Sequence, residues 1–70
     1  MHENNSLSLI IFLEKIRSLR NFSQEHLIHG IVSMRQYRRY INGTCKPSYD
    51  IIKSLFEKLG FNIADLLYSY

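Results

Sequence analysis

Serine recurs in this chain just ahead of apolar residues at helical spacing, and glycine or asparagine closes each such stretch. A serine hydroxyl at a helix start accepts from backbone N–H groups that would otherwise lack a partner. Glycine and asparagine tolerate the left-handed conformation that ends helices. Ser23 therefore caps a short helix from Gln24 to about His29, with Leu27 and Ile28 apolar and Gly30 as the turn residue. Ile31 and Val32 plug the following turn into the core. Ser33 opens the next helix, and Gln36 three residues later completes a Ser-x-x-Gln capping box. Asn42-Gly43 ends that helix, and Thr44 to Pro47 form a loop. Ser48 caps a further helix with Asp50 favourably placed against the dipole; its apolar face is Ile51, Ile52, Leu55, Phe56 and Leu59, and Gly60 stops it.

The flanks read the same way. Ser6 or Ser8 caps a first helix whose face is Leu9, Phe12, Leu13, Ile16 and Leu19, with Lys15, Arg17 and Arg20 off that face. It ends near Arg20, where Asn21 turns the chain. Asn62 caps a last short helix with Asp65 at its third position and Leu66 and Leu67 inward, while residues 1–5 form a polar, frayed tail. No strand alternation or internal repeat is present. The expectation is an all-α, compact five-helix bundle: one domain over residues 1–70.

Seventy residues, 46% of them apolar, lie near the lower limit at which one core holds without staples. The single cysteine, Cys45, has no internal disulfide partner, so nothing demands an oxidising compartment. The run Leu7 to Leu13 is interrupted by Ser8 and is too short to span a membrane, and it lacks the basic lead and cleavage site of a signal peptide. A cytoplasmic protein that uses no membrane is expected.

Charge is unevenly spread. Residues 15–46 hold seven lysines and arginines against one acid, Glu25, whereas the remainder holds two lysines against five acids. Ser33 to Lys46 contains Arg35, Arg38, Arg39 and Lys46 with no acid at all. Tyr37 and Tyr40 lie three apart, on one side of the helix, and leave the arginines facing away from them. Positive charge gathered in one part of a small domain points to a polyanionic partner.

Ser23-Gln24-Glu25-x-Leu27, Ser33 opening a helix, Ile41-Asn42-Gly43, Pro47-Ser48, an Ile-Ile-x-x-Leu helix and Asn-Ile-x-x-Leu-Leu together resemble the lambda-repressor/Cro-like (XRE-type) helix-turn-helix domain. The likeness runs from about Leu13 to Leu67, and the pattern is most similar to the DNA-binding domains of peptide-sensing regulators of Gram-positive bacteria. Ile28 stands where that family usually has a small alanine. The resemblance implies a third helix lying in the major groove of double-stranded DNA. Tyr37 and Tyr40 then face the core, leaving Met34, Arg35, Gln36, Arg38 and Arg39 exposed to bases. Arginine suits guanine, glutamine adenine, and methionine the thymine methyl. Ser23 and Gln24 are implied as phosphate contacts on one flank, with Asn42, Thr44 and Lys46 on the other.

Other chemistry finds little support in the residues. His26, His29 and Cys45 lack an obvious fourth zinc ligand, so no metal and no cofactor are expected. No nucleophile–base arrangement, carboxylate pair or Gly-rich phosphate loop is present, which argues against an enzyme. The apolar end Leu66-Leu67-Tyr68-Ser-Tyr70 suggests a homodimer on DNA, a junction to a sensor domain, or closure of the core. The alternative reading is a protein-interaction module of the same fold, an antirepressor or regulatory subunit, that binds through this apolar end. RNA binding is less favoured, because it uses exposed stacking aromatics.

Overall fold

The computed structural model describes residues 5–62, and these form four helices and no strand: α1 (Asn5–Leu19), α2 (Gln24–Ile28), α3 (Met34–Asn42) and α4 (Tyr49–Lys58). The fifth helix expected from Asn62, with Asp65, Leu66 and Leu67, lies outside the described residues, as does most of the N-terminal tail.

Three of the four helix starts are set by serine. Ser23 accepts from the His26 N–H at 3.0 Å, Ser33 from the Gln36 N–H at 3.1 Å and Ser48 from the Ile51 N–H at 3.3 Å. Three helix ends share one construction as well. Asn21, Gly43 and Gly60 have φ of 61°, 80° and 92°. In each case the next residue's N–H returns to a carbonyl five positions back: Phe22 to Arg17, Thr44 to Arg39 and Phe61 to Phe56. Gly30, at φ 79°, makes the turn between α2 and α3.

The serine-cap expectations hold at α2, α3 and α4 but not at α1. That helix begins at Asn5, so Ser6 and Ser8 lie inside it and Asn5 does not belong to the tail. Its inner face is also rotated from the one expected. Ile10 and Leu13 are buried and Leu9 and Ile16 pack beside them, whereas Phe12 and Leu19 are exposed by 41% and 74%. Arg17 is half-buried and turns inward, contrary to expectation, while Arg20, just past the helix, stays exposed. Arg17 donates to the Phe22 carbonyl. Arg20 donates to the Leu59 carbonyl and lies over the Phe61 ring at 4.7 Å. Both registers were open to a helix containing the unbroken run Leu9-Ile10-Ile11-Phe12-Leu13. The deciding residues are Glu14 and Arg17, which bring their own partners inward and so can share a face with Ile10 and Leu13.

The core draws on every helix: Ile10, Leu13, Leu27, Ile28, Tyr37, Tyr40, Ile52, Leu55, Phe56 and Leu59. Helix α1 packs on α3 and α4, and α2 packs on the same two. Leu27 and Ile28 come from a helix of only five residues, so α2 is held by these two anchors more than by its own hydrogen bonds. Phe12 stacks against Phe56 and Phe56 meets Phe61 edge-on, which ties α1 to the end of α4.

Candidate nucleic-acid interface

Helix α3 has two sharply different sides. Tyr37 and Tyr40 are 0% and 4% exposed and form its inner face. The exposed positions are Arg35, Arg38, Arg39 and Asn42, spaced i, i+3, i+4 and i+7. At 3.6 residues per turn these four fall within an arc of about 100°. No side chain among Arg35, Arg38, Arg39 and Lys46 makes an ion pair or hydrogen bond among the described residues. By contrast, Arg17 pairs with Glu14 and Lys53 lies 3.9 Å from Glu57. The α3 stripe therefore projects concentrated positive charge that nothing on its own helix compensates.

Two residues expected to be exposed on this surface are only half so. Met34 packs against the core at the edge of the stripe. Gln36 turns toward the following loop, where its Nε2 donates to Cys45 Sγ at 3.1 Å. The capping box is thus half formed: Ser33 caps α3, but the Gln36 side chain is spent on Cys45 instead of returning to Ser33. That bond links the flank of α3 to the loop carrying Thr44 and Lys46, both exposed. Thr44 donates its hydroxyl to the Arg39 carbonyl at 3.1 Å, which further fixes the loop.

Beneath the stripe lies a polar knot that the sequence reading missed. The Glu14 carboxylate accepts from Tyr37 Oη at 2.7 Å and from Gln24 Nε2 at 2.8 Å. It also accepts two bonds from Arg17, each at 2.9 Å. One α1 carboxylate therefore holds the first residue of α2 and the buried tyrosine of α3. Burial pushes the Glu14 carboxyl up, but the bonds from Arg17, Tyr37 and Gln24 outweigh it and hold it below its ordinary value. Burial, then the bond to Glu14, raises the Tyr37 hydroxyl far above its usual value. The bond to Glu14 likewise raises Arg17 despite its burial. The pair is locked in its charged form, with Tyr37 a neutral donor. Gln24 thus has one amide hydrogen committed within the fold, and Ser23 has its hydroxyl committed to the α2 cap.

His26 meets Phe22 edge-on with ring centres 4.9 Å apart. Among the described residues no three His, Cys, Asp or Glu side chains gather where they could hold a metal ion. No helix among them is long and apolar enough to cross a membrane. No family model, curated protein or solved structure matches this chain.

Proposed function

We propose that the chain is a sequence-specific double-stranded DNA-binding domain of a cytoplasmic transcriptional regulator, with α2 and α3 acting as a helix-turn-helix and α3 lying in the major groove. The observation that carries this reading is the stripe Arg35, Arg38, Arg39 and Asn42, exposed along one side of a helix whose other side is anchored by Tyr37 and Tyr40. A helix with its side chains is about 10–12 Å across, and the major groove, about 12 Å wide, admits α3. Arginines without partners on such a helix match both the phosphate charge and the guanine edge.

The phosphate contacts fall on either side. Ser23, the cap of α2, and Gln24, its first residue, supply them on one flank. Asn42, Thr44 and Lys46 follow α3. Met34 and Gln36 contribute at the stripe's edges, with less reach than the three arginines because each is half-buried. The domain acts by binding, as a homodimer on DNA, because two half-sites about one helical turn apart multiply the affinity of a small reader.

Titrating a labelled duplex library at increasing salt tests this. The expected log–log slope is steep and negative, near −0.9 for each phosphate neutralised. Lys46→Ala flattens it by about one and weakens all sequences alike. A slope near zero would remove the DNA reading. The alternative, a protein-interaction module that binds through the apolar end Leu66-Leu67-Tyr68-Ser-Tyr70, falls on residues outside the described ones; a different apolar face, Ile11, Phe12 and Leu19, is exposed on α1. Binding through such a face would be insensitive to salt.

A further inference from the structure

Each oxygen of the Glu14 carboxylate accepts two hydrogen bonds. Oε1 takes Arg17 Nε at 2.9 Å and Tyr37 Oη at 2.7 Å, and Oε2 takes Arg17 Nη2 at 2.9 Å and Gln24 Nε2 at 2.8 Å. A carboxylate has about four such acceptor sites, so these bonds together fix its orientation. Arg17 also donates to the Phe22 carbonyl, which ties the carboxylate to the turn leading into α2. The other two donors belong one to each of the next two helices: Gln24 is the first residue of α2, and Tyr37 lies on the inner face of α3.

These bonds supply what apolar packing supplies poorly. Burial is non-directional, whereas a hydrogen bond weakens steeply as its donor leaves the line. Helix α2 has only Leu27 and Ile28 as buried anchors, and α3 has only Tyr37 and Tyr40. Tyr37 lies about 160° around α3 from Arg35, so its hydroxyl holds the helix from the side opposite the stripe. A turn of α3 by about 20° about its own axis would carry groups at its outer surface by about 2 Å. A binding constellation tolerates only about 0.5 Å and 10–20°.

We propose that Glu14 is a positioning residue for DNA recognition: its carboxylate ties Gln24 and Tyr37 to α1, so that α2 and α3 meet the duplex as one body with the arginine stripe held in register. This rests on the DNA-binding reading above. Glu14 touches no DNA and acts through Tyr37 and Gln24.

The test first selects bound duplexes from a random library with the full chain. Affinity for the selected duplex is then compared with that for a random duplex, at a temperature where circular dichroism shows each variant fully folded. Tyr37→Phe keeps the ring and every positive charge. It is expected to narrow the selected-over-random preference roughly fivefold, the low end of what one base contact contributes, with the salt slope unchanged. Glu14→Gln should narrow it as well. The double variant should lose little beyond the larger single loss, because both substitutions act through one bond. Ile52→Val trims the buried face of α4 away from the knot; it should lower the melting temperature and leave the preference at the parent's value. If Tyr37→Phe and Glu14→Gln lower the melting temperature yet keep the parent's preference, the knot serves the fold alone and the proposal is overturned. Tyr37→Phe decides this by itself should Glu14→Gln not fold. If the parent binds no duplex in a salt-dependent way, the underlying reading falls and the positioning role with it.

Discussion

The carboxylate of Glu14 accepts from Arg17, Gln24 and Tyr37, so three helices depend on its charge. Tyr37→Phe deletes only the hydroxyl and leaves Glu14 its other donors; thermal unfolding should show a loss of about 1 kcal/mol. The acid limb gives a second test. The folded Glu14 carboxyl lies below its ordinary 4.5, so its stabilisation is fully present above that value and is lost as pH falls through the folded one. Glu14→Gln should therefore unfold more easily than the parent near neutrality, with the difference shrinking as pH falls below about 4.5. A constant difference down to pH 2 would show that Glu14 acts by packing alone. None of this could be read from the sequence. Glu14 beside Lys15 looks like an ordinary solvated helix face; Arg17 is three residues on, but its other two partners stand 10 and 23 positions away. Tyr37 itself was readable as inward-facing from its spacing to Tyr40, but not the group that satisfies it.

The helices divide according to how local their determinants are. Helices α2, α3 and α4 match their serine caps and terminal glycines, because those signals act within about five residues of the helix end. Helix α1 does not, because its inward face was chosen by long-range partners: Gln24 and Tyr37 for Glu14, and Phe56 for the outlying Phe12. The end of α3 allows a direct measurement of a local signal. Gly43 holds φ 80°, and an added Cβ would meet Leu7 Cδ2 at 3.5 Å, ordinary contact and no clash. The cost of Gly43→Ala is then mainly the left-handed backbone, about 1–2 kcal/mol. Gly43→Asn should cost clearly less, since asparagine visits that region more readily. Equal losses in the two variants would mean that space, not backbone conformation, makes glycine necessary here.

Taken across the molecule, charge is neutralised where the fold needs it and left uncompensated on one side of α3. Glu14 is paired with Arg17, and Lys53 lies near Glu57, while Arg35 faces Arg38 and Arg39 at i+3 and i+4 with no acid among them. Like charges at those spacings destabilise a helix by about 0.2–0.5 kcal/mol per pair. A surface shaped only by folding would not keep both repulsions, whereas one shaped to meet a polyanion would, because the partner's phosphates remove them on binding. Stability and binding should therefore respond to the same substitution with opposite signs. Arg35→Ala relieves both repulsions and places the best helix former at an exposed position. Its melting temperature in low salt should equal or exceed the parent's, and the repulsive part of any gain should fade as salt approaches 1 M, where the Debye length is about 3 Å. Affinity for the selected duplex should fall by about 1–3 kcal/mol, with specificity relaxed at one base pair. Arg39→Ala removes one of the two repulsions and should likewise weaken binding without loss of stability. A variant that loses stability and binding together would mark Arg35 as a structural residue and withdraw the main support for a DNA-reading stripe.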